Sequence, residues 1–353
     1  LKTSINILLV FLFAACTSVP DERMTPYVDF PETRELTART LSLDSALFRY
    51  PYRVRVQDDK AVVLDLHGTE YFFHAFHYPG FHYLSSFGKR GDAPEEMLAA
   101  ENLRWNGNFL WTLDSNKSEL TRLGFASSGD SLLRLEAVSL DEELLRALDF
   151  VQYDDSTFII PDYSGDSRFC LVSRQGKLLH KIGTIPTTDE DALKNAHPAL
   201  AQAWRSFIDY NPRNGVLAAV TQLGEVLEIY NLKDSTHIVR IGPNGEPEFQ
   251  ISQGYGIPTG IMGFSDIQVT DSAIYVVFQG RAFKDIMQKA QQGINLPDGG
   301  QNIYVFSLEG KPLRKYVLDH YIHGISVDEQ KGIIIATDVN KDEPCLLYTS
   351  DAA

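Results

Sequence analysis

The sequence predicts an all-β protein, a six-bladed β-propeller with two short helical insertions. Three observations predict it. A pattern of alternating apolar residues, a polar turn and an apolar run recurs six times, as VRVQDDKAVVLD (54–65), LRWNGNFLWTLD (103–114), VQYDDSTFIIPD (151–162), IDYNPRNGVLAAV (208–220), IQVTDSAIYVVF (267–278) and ISVDEQKGIIIATD (325–338). The last apolar residues before the turns are Val56, Trp105, Tyr153, Tyr210, Val269 and Val327, spaced by 49, 48, 57, 59 and 58 residues. Two further strand-like runs follow most copies, and four strands about every 50 residues is the pattern of a propeller blade.

Each copy reads as two strands joined by a tight turn, because Asp, Asn, Gly and Pro supply the turn chemistry between the apolar runs. After the first copy come EYFFHAFHY and HYLSSFG, after the fourth EVLEIYNL and THIVRIG, and after the fifth NIYVFSL and LRKYVLD. The alternating stretch RELTARTLSL at 34–43 is expected to supply the outer strand of the last blade and close the ring. Residues 187–205 place Thr187 and Glu190 at capping-box spacing ahead of ALKNAHPALAQAW, where Pro198 splits two short helices. Residues 280–300 carry a second helical pattern ended by Gly293. The first insertion joins blades 3 and 4, and the second lies between the second and third strands of blade 5. Loops of these two classes open on one face of a propeller.

The 353 residues are 44% apolar and 22% charged, which excludes a disordered chain. The formal charge of −15 removes any general attraction to nucleic acid or anionic lipid. Lys2 precedes an apolar run, Ile7 to Phe13, followed by Ala14, Ala15 and Cys16. This reads as a secretory signal over 1–15, and no other stretch is long and apolar enough to cross a membrane. A linker is expected over 16–33 and the propeller over 34–344. Cys170 reads as a buried thiol in the apolar run RFCLV. The ending CLLYTSDAA resembles a translated sequencing-adapter junction, so 345–353 are expected to be non-native and to stand outside the fold.

Leu12-Phe13-Ala14-Ala15-Cys16 resembles a bacterial lipobox, which implies cleavage before Cys16 and acylation of its thiol. The run Phe87-Gly88-Lys89-Arg90-Gly91-Asp92-Ala93-Pro94-Glu95-Glu96 has a partner in Ile241-Gly242-Pro243-Asn244-Gly245-Glu246-Pro247-Glu248-Phe249. Together with LEIYNL and VFSLEGKPLRKYVLD, these segments resemble the TolB-like six-bladed propeller lipoproteins of Bacteroides-type bacteria. The resemblance implies an outer-membrane location, with the domain facing the periplasm or the outside. Asp92-Ala93 and Glu96-Met97 depart from the family's usual residues. Asp114-Ser115-Asn116 and Asp338-Val339-Asn340 resemble the turns of NHL-like repeats.

No nucleophile elbow, P-loop, dinucleotide fingerprint or zinc motif is present. Asp65, Asp114, Asp162 and Asp338 each end a second strand, and such carboxylates are expected to bond nearby backbone N–H groups. His74 and His77 lie three apart on one strand and face opposite sides; with His82 they read as packing residues among aromatics. Asp209 and Asp266 lie near the start of inner strands, with Asn102 and Asp149 at comparable positions. Propeller lactonases bind calcium at such a place, and this is the enzyme alternative, a Ca²⁺-dependent lactonase-like hydrolase. Arg90, Trp204, Tyr255 and Arg281 fall in loops or insertions assigned to the ligand face, and aromatic and arginine side chains are favoured contact residues. The favoured function is a non-enzymatic binding or scaffold module without a cofactor, holding a glycan, a peptide or an envelope protein at the insertion-bearing face.

Overall fold

The computed structural model describes residues 24–43, 48–340 and 343–349, so the proposed signal segment and Cys16 lie outside the described residues. Six sheets form the six blades, and an additional two-stranded hairpin stands apart from them. Their inner strands are Pro51–Gln57, Ala100–Asn106, Val151–Gln152, Ser206–Asn211, Phe264–Val269 and Ile325–Asp328. In blades 1 to 5 four consecutive antiparallel strands run outward from the axis. The second strands are apolar on both faces because each is covered by a neighbouring blade on either side; Val216–Thr221 and Ile333–Asp338 are buried along their whole length. The core is accordingly divided among the seams. One apolar cluster fills each seam between successive blades, and a seventh lies under the first helical insertion.

Blade 6 draws its strands from distant parts of the chain. Arg39–Thr40 pairs antiparallel with Leu347 and Tyr348, so part of the stretch at 34–43 closes the ring as expected, while its first residues, 34–36, join blade 5 instead. The segment it pairs with, Cys345–Thr349, corrects the expected boundary at 344. It is the third strand of blade 6, paired along Ile334–Asp338, with Leu346 and Leu347 at 0% and 1% exposure. A short apolar run at the edge of an open sheet satisfies the pairing rule whatever its origin.

The expected linker is also corrected in part. Thr25–Pro26 adds a parallel fifth strand to blade 4 beside Arg240 and Ile241. Thr33–Leu36 adds another to blade 5 beside Lys315 to Leu318. Between them Tyr27 and Phe30 are buried against Tyr304 and Phe306, and the Tyr27 hydroxyl donates to Glu225 at 2.7 Å. The segment is thus a strap that covers the outer edges of blades 4 and 5 before completing blade 6.

The first insertion forms α1 (Glu190–Asn195) and α2 (His197–Ala203), with Pro198 in the first turn of α2. The cap of α1 is Asp189, which accepts from Ala192 N at 2.9 Å; the expected Thr187 instead donates to Glu246. The second insertion forms α3 (Phe283–Gln291). Phe249–Ser252 and Tyr255–Pro258 form a hairpin. Its two turn residues, Gln253 and Gly254, have φ of 51° and 82°, the positive values that a two-residue turn between twisted strands demands. Asp65, Asp114, Asp162 and Asp338 do bond the backbone of their corners; Asp114 alone accepts from Leu98, Ala99, Asn116 and Lys117 N–H groups. Cys170 is buried, which together with nearby Asp162 pushes its thiol up to about 12.

The strap anchors predict a measurable contribution. Phe30→Ala is expected to cost about 3–5 kcal/mol in urea unfolding, the usual range for a buried aromatic. Val28→Ala, at a position 84% exposed, is expected to stay within about 0.5 kcal/mol of the parent.

Candidate functional site

The innermost strand of every blade has one edge with no strand beside it, and six such edges face a common axis. Their N–H and C=O groups need partners. Side chains from adjacent blades supply them at every seam. Asp149 accepts from Ile208 N at 2.9 Å, Asp209 from Val269 N at 2.7 Å, and Asp266 from Ile325 N at 2.8 Å. Gln268 bonds both Val327 N and Val327 O, at 2.7 and 3.1 Å. Ser326 Oγ accepts from Val56 N at 3.1 Å, and Arg55 donates to Ile325 O at 2.8 Å. Arg104 donates to Phe150 O at 3.2 Å and also to Ile208 O. Trp105 Nε1 completes the circle with Arg55 O at 3.3 Å.

The ionic groups balance within this ring. Arg55 grips Asp266 through both terminal nitrogens at 2.9 and 2.8 Å, and Arg53 Nε lies 3.2 Å from the same carboxylate. Arg104 meets Asp149 at 3.1 Å and Asp209 at 3.2 Å. Asn102 donates to Asp149 at 2.7 Å. The four residues expected as calcium ligands therefore do line the axis, but their oxygens are taken by arginines and strand N–H groups. Among the described residues no group of three or more His, Cys, Asp or Glu side chains is placed to hold a metal ion. Burial opposes the charge of Asp266, yet Arg53 and Arg55 outweigh it and hold the carboxyl at about 2. Burial pushes Asp209 above the usual carboxylate range.

The axis is closed toward the insertion-bearing face. Arg53, fully buried, lies over the Tyr52 ring at 3.9 Å and the Phe207 ring at 4.6 Å. His323 packs on Tyr52 at 4.5 Å, with Nδ1 3.1 Å from Arg53 Nη1. Burial and the Arg53 charge lower His323 to about 4.

Toward the opposite face, where the first and second strands turn, the axis opens into a cup of about 690 Å³. That volume lies within the ~300–1,000 Å³ of small-molecule sites. Arg55, Arg104, Asp209 and Gln268 contribute to its lining, and Trp105, Tyr153 and Tyr210 form an aromatic wall on the side of blades 2 to 4. The Tyr153 and Tyr210 rings are 5.7 Å apart. Gln152 Oε1 has no hydrogen-bond partner, and neither hydroxyl of the two tyrosines has one among the described residues. Sequence reading missed this site, although its signal stood in the repeat itself. The residue before the inner turn is aromatic in three successive blades and Val in the other three.

The four expected ligand residues do not come together as a site. Trp204 is 1% exposed beneath α1 and α2, because apolar helix faces need such a cover. Arg90 donates to Leu66 O and lies 3.9 Å over the Phe72 ring, and Arg281 donates to Pro297 O and Gly299 O; both are spent on holding their loops. Tyr255 is 60% exposed on the hairpin, beside Ile251 and Ile257. The two insertions do share a face, where each touches the segment 249–260 that lies between them. Gly256 N donates to Gln202 of α2 at 3.0 Å, and Phe283 N of α3 donates to Gly260 O at 3.0 Å. His74 bonds Ser86 at 2.8 Å and packs on Phe48, while His77 and His82 pair across an exposed turn.

Residues 29–330 match the family described as TolB-like 6-blade propeller-like. No curated protein matches. Among solved structures, a Bacteroides fragilis protein described as exported superposes with a TM-score of 0.58 at 9% identity, over 90% of this chain and 98% of that one. A member of the duf4221 family from Bacteroides vulgatus gives 0.56 at 11% identity, over 90% and 96%. The WD40 repeats of RRP9 give 0.51 at 7% identity, over 89% and 97%. At these identities the likeness concerns the fold alone.

Two outcomes follow for the axis. Asp266→Ala leaves two buried arginines without their carboxylate and is expected to cost about 3–5 kcal/mol in urea unfolding. The His323 pKa lies below its ordinary ~6.5, so the unfolded chain takes up the proton first. The contribution of His323 to stability is therefore complete above about pH 6.5 and is lost as the pH drops toward about 4. Urea midpoints at pH 7 and pH 5 should differ in the parent, with the difference reduced in His323→Gln.

Proposed function

Because the chain belongs to the TolB-like six-bladed propeller family, whose fold places an axial cup between rigid blades, we propose that it is a cell-envelope binding module for a short glycan. The observation that carries this reading is the lining of the cup. Its arginines are already paired with Asp266, Asp149, Asp209 and, at the rim, Asp271. Asp154, which caps its own turn through Ser156 N, and Asp155 add negative charge at the turn between the first two strands of blade 3; the rest of the binding capacity is neutral: tyrosine hydroxyls, amides and three aromatic rings. A polyhydroxylated ligand matches it, since ring faces cover the apolar side of a sugar while hydroxyls and amides bond its oxygens. Rigid inner strands hold these groups without further ordering on binding.

Envelope location rests on the apolar leader and on the similarity to a Bacteroides protein described as exported. Acylation of Cys16 would tether the domain to the outer membrane; mass spectrometry of the exported protein would read the thiol modification directly. A protein or peptide partner on the insertion face is a second reading, favoured by the exposed Ile251, Tyr255, Ile257 and Met287.

Thermal shift and calorimetry against a panel of methyl glycosides and oligosaccharides test the glycan reading. A ligand at a hundredfold excess over its Kd stabilises by about 2.7 kcal/mol. Tyr210→Ala is expected to weaken that binding at least tenfold with the fold retained, whereas Tyr255→Ala leaves it unchanged. Loss of binding in Tyr255→Ala with none in Tyr210→Ala would move the site to the insertion face.

A further inference from the structure

The cup does not end at the aromatic wall. Trp105 and Gln57 also line a second depression of about 300 Å³, which runs outward along the seam of blades 1 and 2. Its character differs from that of the cup. Phe109, Phe125 and Leu135 supply its apolar walls, with Gly124 between them. Phe109 is 39% exposed and Leu135 47% exposed, which leaves apolar surface open on a face otherwise made of polar turns.

The groove is built rather than incidental. Phe125 stacks parallel to Trp105 with ring centres 6.3 Å apart, so one aromatic pair joins groove and cup. Arg122 backs the Phe109 ring at 4.7 Å. Gly124 keeps the bottom low: a Cβ there would lie 2.8 Å from Leu135 Cδ1. At the mouth Lys60 pairs with Asp59 at 2.7 Å, and Asp58 accepts from Gln57 at 3.4 Å, which leaves a carboxylate there and disfavours an anionic ligand.

Resting on the glycan reading of the cup, we infer that the ligand is amphiphilic: a glycan head in the cup, carrying an alkyl or acyl chain that lies in the groove between blades 1 and 2. Continuity through Trp105 and Gln57 favours one ligand spanning both depressions. Trp105, Phe109, Phe125 and Leu135 give the groove a continuous apolar side, and methylenes buried against it gain affinity without demanding a polar partner.

The test is a series of methyl, butyl, hexyl and octyl glucosides and maltosides below their micelle concentrations, titrated by calorimetry into the parent protein and two variants. The expected result is a gain of about two- to fourfold in affinity for each added methylene. Leu135→Glu should abolish that gain and leave the methyl glycosides unchanged, whereas Tyr210→Ala should weaken every member alike. Both residues are at least partly exposed, and circular dichroism of each variant is the check on its fold. Affinity independent of chain length, or a chain-length gain that survives Leu135→Glu, overturns the amphiphilic assignment alone. Failure of every member to bind overturns both it and the glycan reading.

Discussion

Six unpaired strand edges around one axis are the constraint on which the rest of this molecule depends. A closed ring of radial sheets removes the outer faces from concern but brings six rows of backbone donors and acceptors together at its centre. Each must find a partner there or bear a desolvation penalty. Here the partners are side chains set on the inner strands themselves, each bonding the backbone of a neighbouring blade. The carboxylates that do this are buried, so each needs a cation, and Arg53, Arg55 and Arg104 supply it.

That solution divides the axis into two functional ends. Where Arg53, Tyr52, Phe207 and His323 pack together, it is closed. Where the inner strands turn, it widens and the demands of the backbone have been met by deeper residues. The Tyr153 and Tyr210 hydroxyls, the Gln152 carbonyl and the face of Trp105 are therefore left for contact with something other than the protein. A rigid, fully bonded floor beneath an adaptable wall is the arrangement that keeps a site preformed.

Blade number and inner-strand positions were legible because they are local: a turn flanked by apolar runs repeats six times whatever the rest of the chain does. Asp209 and Asp266 were correctly drawn to the axis, but their role was not readable. Their partners Arg104 and Arg55 lie 105 and 211 residues away, and no spacing rule links them. The strap escaped notice because Thr25–Pro26 is too short to show periodicity; only the free edge of blade 4 makes it a strand. Trp204 was judged from its loop position, yet α1 and α2 fold back over it. The aromatic wall needed a comparison across blades at one register position, not along any single blade.

Blade 6 carries a consequence for the way the ring forms. Tyr348 pairs with Arg39, positions 309 residues apart, so the last seam joins early-made and late-made parts of the polypeptide. Blades 1 to 5 can assemble from neighbouring strands as they emerge, but the circle is latched only when both parts are present. Until then the seams on either side of blade 6 expose their apolar faces. Closure is thus a late, long-range step in the folding order, and an open ring is the species on which a protease or a chaperone would act.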